Sequence, residues 1–274
     1  MGLPDDKEKM LLGKHAPVIE EYAPQLLYPI ARAAGRKALG TIGPMHGADL
    51  WHAYELSWLN SSGKPVVRVG RFHIPVDSPN MIESKSFKLY LNSLNSHRFD
   101  SEEQAVKTIL GDVSAAVGQE VTLELLMVDD QALAGTALAG NCLDDLPLTL
   151  VHEQQPDAEL LGEQGLQIVE ERLYSHLLRS LCPVTGQPDW ATVWLHYRGG
   201  ALDGQALLRY IIAFRRHQDF HEQCVERMFR DLTMRFELEF LHIQAFYTRR
   251  GGMDINPFRS TDPEAGPLPR LNRQ

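Results

Sequence analysis

The stretch Trp51-His-Ala-Tyr-Glu-Leu-Ser-Trp-Leu-Asn60-Ser-Ser-Gly-Lys-Pro65-Val-Val-Arg-Val-Gly70-Arg-Phe-His-Ile-Pro-Val76 decides the fold. Two runs rich in β-branched and aromatic residues, Trp51 to Asn60 and Pro65 to Val76, flank Asn60-Ser61-Ser62-Gly63-Lys64. Such runs around a short Asn-, Ser- and Gly-rich link predict a hairpin of two antiparallel strands. Downstream, Phe87, Leu91 and Leu94 fall at helical spacing within a segment from Met81 to Leu91 and beyond, with Glu83 and Ser84 near the helix start. Ser101 suits the N-cap of a second helix reaching Val117. Glu120 to Met127 then alternates apolar and polar residues as a strand does. Upstream, Gly35, Gly40, Gly43 and Gly47 predict loops and little regular structure before Trp51.

That order, strand-strand-helix-helix-strand, is expected a second time. Residues 129–166 read as an acidic link with one short strand at Pro147 to Val151. Gln167 to Leu181 is amphipathic and reads as a helix. There follow a strand from Trp190 to Tyr197, a Gly199-Gly200 turn, an apolar segment Ala206 to Phe214, a helix Phe220 to Met234 and a strand Glu237 to Tyr247. A gap-free shift of 120 residues lays Tyr90 on Tyr210, His97 on His217 and Glu102 on Glu222. It puts Ser101 in the place of His221, while the loop Thr41 to Gly47 is laid on Ser180 to Gly186, which puts Gly43 in the place of Cys182 and Leu50 in that of Asp189. Identities are few, so the repeat rests on element order. Each half lacks what the other keeps, which predicts two modules, 1–150 and 151–274, sharing a composite site.

At 274 residues and 43% hydrophobic, the chain has material for one large core or two modest ones. Met1 to Lys14 is charged, and nowhere does an apolar run approach the roughly 20 residues of a membrane span. Met1-Gly2 is not expected to be myristoylated, because Asp6 stands where that signal wants Ser or Thr. A cytoplasmic protein with no membrane partner is expected. Three cysteines, Cys142, Cys182 and Cys224, cannot pair off completely, consistent with a reducing compartment; Cys142 and Cys224 read as buried structural thiols. A net charge of −9 argues against a broad phosphate-backbone footprint, so no direct nucleic-acid partner is expected.

The chemistry gathers at Ser180-Leu-Cys182-Pro-Val-Thr-Gly186-Gln-Pro-Asp189-Trp190. Pro183, Gly186 and Pro188 exclude regular helix and leave a loop able to hold a thiol and a carboxyl group in fixed relation. A thiol with a pKa near ~8.5 needs a suitable neighbourhood to act as a nucleophile, and a buried structural Cys is the plain alternative. No Gly-x-Gly-x-x-Gly or Walker A motif is present. Cys182, His221 and Cys224 offer a zinc set, and Cys182, His221 and Asp189 a protease-like triad. Glu83-Ser-Lys85-Ser-Phe-Lys88 sets a carboxylate beside two cations three residues apart, which also describes an ordinary solvated helix start.

Taken in order, Glu83-Ser-Lys-Ser-Phe-Lys-Leu-Tyr90, Cys182-Pro-Val-Thr-Gly-Gln-Pro-Asp189, Phe220-His-Glu222 and Arg249-Arg-Gly-Gly252 resemble the NADPH-dependent 7-cyano-7-deazaguanine reductases, the QueF-type nitrile reductases in their long two-module form. The resemblance covers nearly the whole chain. It implies an α+β tunnelling fold (T-fold), with antiparallel sheets carrying helices on one face and modules assembling into a barrel. It further implies NADPH as cofactor, a small deazapurine as substrate, a step towards the modified tRNA base queuosine, and a homodimer, in which open sheet edges find a partner.

By the same resemblance Cys182 is the nucleophile, Asp189 the proton donor, and His221 an aid to proton movement and positioning. Glu83 and Glu222 hold the base, with Ile82, Ser84 and His221 completing the pocket. Ser84, Lys85, Arg250 and Gly251 contact NADPH. No metal is implied. Two alternatives stay open on the same fold: a zinc-dependent cyclohydrolase-like enzyme, and a purine- or pterin-binding module without catalysis.

Overall fold

A computed structural model describes residues 21–40, 42–150 and 155–274. The myristoylation question and the last residue of the Pro147 to Val151 segment lie outside them. Elements in chain order are β1 (Pro29–Ala31), α1 (Arg32–Leu39), β2 (His46–Leu59), β3 (Pro65–Pro75), β4 (Asn80–Ile82), α2 (Ser84–Ser93), α3 (Glu102–Val117), β5 (Thr122–Leu126), β6 (Asn141–Cys142), β7 (Ile168–Ser175), β8 (Arg179–Leu181), β9 (Pro188–Gly200), α4 (Gly204–Ala213), α5 (His221–Arg235), β10 (Leu238–Tyr247) and β11 (Met253–Ser260). The chain divides into two compact units. One comprises residues up to Ala38, Asp49–Ala134 and Arg249–Ile255; the other Leu39–Ala48, Gly135–Thr248 and Asn256–Gln274.

In the first unit the strand order is β5-β3-β2, with β3 and β5 antiparallel from Val69↔Leu126 to His73↔Thr122. Helices α2 and α3 lay Phe87, Tyr90, Leu91, Ile109, Val113 and Val117 against Trp51, Ala53, Trp58, Phe72 and Ile74. The cap on α3 forms as expected, with Ser101 accepting from the Gln104 N–H. Helix α2 begins at Ser84, because Met81 and Ile82 are drawn into β4 opposite β1.

In the second unit the order is β11-β10-β9-β7-β6, with β8 also pairing β9. All these pairings are antiparallel except β6 with β7. Alternation makes the core: Ala191, Val193, Leu195 and Tyr197 from β9, and Leu241, Ile243, Ala245 and Tyr247 from β10, face Leu207, Ile211, Val225 and Phe229 of the helices. Trp194 and Phe246, one residue out of step, point to the opposite face, where Leu271 covers them. The fold is therefore α+β with antiparallel and mixed sheets, and no closed barrel forms among the described residues.

Four expectations fail, one of them the Gly199-Gly200 turn, since both glycines lie inside β9 opposite Val169 and Ile168. Gln167 to Leu181 is not a helix but the strands β7 and β8. Its apolar spacing suits a helix, yet Ile168, Val169 and Tyr174 also suit a strand, and backbone pairing with β9 from Ile168↔Gly200 to Ser175↔Val193 wins. Pro147 to Leu150 form no strand. Regular structure before Trp51 is not sparse, since β1, α1 and the start of β2 lie there. Gly47, taken for a loop residue, sits within β2 at φ 130°, where a Cβ would stand 2.3 Å from the Phe258 carbonyl oxygen. Only glycine permits that approach.

The strand-strand-helix-helix-strand order recurs in detail. Tyr90 donates to Asp112 at 2.6 Å and Tyr210 to Asp231 at 2.6 Å. Glu83 caps α2 through the Lys85 and Ser86 N–H groups, as Asp203 caps α4 through those of Gln205 and Ala206. The turn after Leu59, closed by Asn60 N–H to Lys64 O at 2.9 Å and Gly63 N–H to Asn60 O at 2.8 Å, reappears after Leu181 as Cys182 N–H to Gln187 O at 2.8 Å and Gly186 N–H to Cys182 O at 2.9 Å. Asn60, not Gly43, therefore occupies the place of Cys182. The gap-free shift of 120 matches the helices and comes within two residues of this hairpin, since Asn60 and Cys182 stand 122 apart; laying the Thr41 loop on the Cys182 loop is what misplaces it.

Candidate active site

The Cys182 loop is a hairpin connection between β8 and β9. Gly186 adopts φ 69°, the left-handed conformation the turn needs. Cys182 is 4% exposed and held through its backbone, so its thiol is shielded from solvent. Two further bonds, Leu181 N–H to His217 O at 2.8 Å and Asp219 N–H to Leu181 O at 3.2 Å, tie the end of β8 to the segment entering α5. They bring the start of α5, and with it His221 and Glu222, alongside the hairpin.

Asp189 lies opposite Ser180 in the β8–β9 ladder and is 7% exposed. Its Oδ2 is 3.3 Å from His221 Nε2. The imidazole is stacked on the Tyr247 ring, with centroids 3.7 Å apart and planes 8° from parallel. A ring fixed between a stacking partner and a carboxyl group has one orientation, which is what directional proton transfer requires. Glu222 is 3% exposed in the first turn of α5, where the helix N-terminus favours a carboxylate. Tyr247, unremarked in the sequence, is the positioning residue of this group; only its address on β10, the strand paired with the one that carries Asp189, marks it.

Cys224 belongs elsewhere. It is fully buried in the helix–sheet core, and burial, with the negative charge of Asp219, pushes its thiol far above the ordinary range. The proposed zinc set of Cys182, His221 and Cys224 does not converge. Among the described residues the group of such side chains whose ligand atoms meet is Cys142, Asp144 and His176. Cys142 is exposed, contrary to the reading of a buried thiol.

The first unit holds the other candidate residues. Glu83 is fully buried, its two oxygens accepting from Lys85 N–H at 2.9 Å and Ser86 N–H at 2.8 Å. Burial raises its carboxyl, against the pull of those two N–H groups and the Lys85 charge. Ile82, 3% exposed, packs in the core beside it. Ser84 and Lys85 open α2. Arg250 and Gly251 belong to a tight turn in which Gly251 and Gly252 take φ 62° and 77° and Arg250 N–H reaches Met253 O at 2.9 Å. A Cβ on Gly251 would stand 3.2 Å from Lys88 Nζ, so the turn's backbone lies against the second cation of α2. The turn is braced by Arg249 of the same motif, 3.4 Å over the Tyr54 ring, and by residues not singled out in the sequence: Tyr54 and His52 both bond Asp254, at 2.5 and 2.7 Å.

Two family models match the chain: one described as nitrile reductase, 7-cyano-7-deazaguanine-reductase N-term over residues 18–125, the other as QueF-like protein over residues 188–265. Among curated proteins, the NADPH-dependent 7-cyano-7-deazaguanine reductase of Chromohalobacter salexigens is 51% identical over 267 residues, 96% of this chain and 96% of the relative. That of Dechloromonas aromatica is 54% identical over 261 residues, 93% of this chain and 92% of the relative. The class is thus that of reductases acting on a nitrile. Within it, the chain belongs to the NADPH-dependent 7-cyano-7-deazaguanine reductase family.

Proposed function

We propose that this chain reduces the nitrile of 7-cyano-7-deazaguanine to the aminomethyl group with NADPH, a step towards queuosine, and that it does so through a covalent thioimide on Cys182. Within the family, the observation that carries this reading is the hairpin placing Cys182 and Asp189 on one turn with His221 against the acid.

A nitrile accepts hydride poorly in water, and a thioimide carbon accepts it far better. Cys182 Sγ gives up its proton and adds to the nitrile carbon as one π bond of the C≡N group breaks; Asp189 gives a proton to nitrogen, and the thiol's proton is the one returned to Asp189 by way of His221. His221, flat on Tyr247, re-protonates Asp189 across their 3.3 Å contact. Burial of Cys182 and Asp189 keeps water from the reactive carbon. Glu222, aided by His221, pairs with adjacent N–H donors of the guanine-like edge; Glu83, Ile82 and Ser84 are assigned to base recognition by the family motif alone. Each Glu83 oxygen already accepts one backbone N–H and keeps a second lone pair for the ligand. Hydrogen bonds to such charged groups contribute about 1.5 to 3 kcal/mol each.

Lys85 and Lys88, with the Gly251-Gly252 turn against Lys88, fit a phosphate-bearing cofactor: cations beside a backbone that can approach closely. Ser84, Lys85, Arg250 and Gly251 would hold it. When bound, NADPH supplies hydride to the substrate carbon.

The fold is assigned to the T-fold, in two modules bounded near residue 150, and the protein to a cytoplasmic homodimer without nucleic-acid or membrane partners. No helix among the described residues is long and apolar enough to cross a membrane. The dimer is supported by β5 and β6 ending their strand orders, since unpaired edges favour a partner. Loss of NADPH absorbance on mixing with 7-cyano-7-deazaguanine tests the reaction. Two NADPH consumed per nitrile are expected, and none would refute it.

A further inference from the structure

We propose that Cys142, Asp144 and His176 form a binding site for a thiophilic divalent cation of the zinc class, distinct from the Cys182 hairpin. One ligand atom from each of the three lies within 4.8 Å of the others. In a tetrahedral zinc site with bonds of about 2.0 to 2.3 Å, ligand atoms stand roughly 3.3 to 3.8 Å apart, so small side-chain rotations close the set. Thiolate, carboxylate and imidazole are the three donor types such an ion takes, and a water would complete four-coordination.

The scaffold holds these residues before any ion arrives. Strand β6 runs parallel to β7 with Cys142 opposite Tyr174, and Leu143 N–H bonds Tyr174 O at 2.9 Å. The chain then hooks over the end of β7. Asp144 Oδ1 accepts from Ser175 Oγ at 2.6 Å, and Oδ2 accepts from the His176 N–H at 3.1 Å. Buried Leu143 anchors the hook. Before it, Gly140 at φ 118° lets the chain approach β7 so closely that a Cβ would stand 2.3 Å from Arg172 O. On the imidazole, Nδ1 meets Thr192 Oγ1 at 2.8 Å and the ring stands edge-on to Tyr174, centroids 5.3 Å apart. An outer hydrogen bond that fixes the ring is the usual companion of a metal-ligating histidine. Cys142 and His176 are exposed, so an ion can enter from solvent. On binding, the Cys142 thiol gives up its proton to solvent and the sulfur bonds the metal.

The site bears on the stability of the β6–β7 hook and is independent of the reaction proposed above. Full-length, tag-free, reduced protein is titrated with Co²⁺ as an optical stand-in for zinc. The expected result is one equivalent bound with a thiolate-to-cobalt charge-transfer band and tetrahedral visible bands, both displaced by Zn²⁺. Cys142→Ser should lose the charge-transfer band, and His176→Ala and Asp144→Asn should lose stoichiometric binding. Asp144→Asn keeps a side-chain oxygen for the hook, and native far-ultraviolet dichroism of the three variants verifies folding. Cys182→Ser should bind like the wild type. Absence of the band in the wild type, its survival in Cys142→Ser, or its loss in Cys182→Ser overturns the assignment.

Discussion

Replacing Tyr210 with Phe removes one oxygen, and the repeat supplies its own control. The Tyr210 hydroxyl bonds Asp231 Oδ2 at 2.6 Å where both residues are 1% exposed. No water reaches the carboxylate once the hydroxyl is gone, so the cost is that of stranding a buried charged acceptor, about 2 to 3 kcal/mol. Tyr90 makes the same 2.6 Å bond to Asp112, but Asp112 is only half-buried and also accepts from Tyr22 at 2.5 Å. Tyr90→Phe should therefore cost about 1 kcal/mol. Urea unfolding at pH 7 measures both.

A pH series adds a second test. Burial raises the Asp231 carboxyl, while the Tyr210 hydrogen bond and then the Arg230 charge pull it down. With the folded value above the unfolded one, stability falls as pH rises between the two and is level beyond. Losing the hydroxyl raises the folded value further, so the deficit of Tyr210→Phe should be largest above that window and shrink as pH falls into it. Equal costs for the two variants, or a deficit that grows towards acid pH, would refute the reasoning.

Gly252→Ala should cost more than Gly40→Ala. Both glycines sit at φ 77°, worth roughly 1 to 2 kcal/mol for a side chain, but only at Gly252 would the Cβ meet Glu55, 2.3 Å from its carboxyl carbon. On the proposed cofactor role, Gly252→Ala should raise the KM for NADPH and leave that for the nitrile nearly unchanged. Burial lowers His242 to about 4, so the unfolded chain binds the extra proton first. Stability should then decline from pH 6.5 towards 4, by at most about 3 kcal/mol, and urea melts of His242→Phe should show that slope flattened. Asp189→Asn should bind the nitrile substrate yet turn over about 10²- to 10⁴-fold more slowly in steady-state assays.

What the sequence disclosed follows the range of the forces involved. The β2–β3 hairpin, the Ser101 cap and helices α2, α3 and α5 were legible because turn residues and periodicity act locally. The second half's opening strand was not: Ile168 to Ser175 carries an ambiguous pattern that only pairing with β9 resolves. Gly47 looked like a loop because its close approach to Phe258 is a contact across 211 residues. At the site, a loop at Cys182 leading into a strand was legible from Pro183, Gly186 and Pro188, but not that a strand, β8, also enters it; the Tyr247 platform under His221 depends on β10 lying beside β9. Cys224 is the buried structural thiol expected of it, and the alternative zinc set fails because helical spacing from His221 says nothing about which side is core. Asn60 was missed as the counterpart of Cys182 because Pro44 and Gly47 mimic the punctuation of Pro183 and Gly186, whereas the shared turn shows only in its backbone hydrogen bonds.

The central claim is that Cys182 attacks the nitrile, and intact-protein mass spectrometry tests it most directly. Mixed with 7-cyano-7-deazaguanine in the absence of NADPH, the wild type should gain the mass of one intact substrate, since addition expels no leaving group. Cys182→Ala should show no adduct and no turnover while still binding the base. A Cys182→Ala protein that reduces the nitrile at the wild-type rate, or a wild-type adduct mapped by peptide analysis to Cys142 or Cys224, would contradict the account.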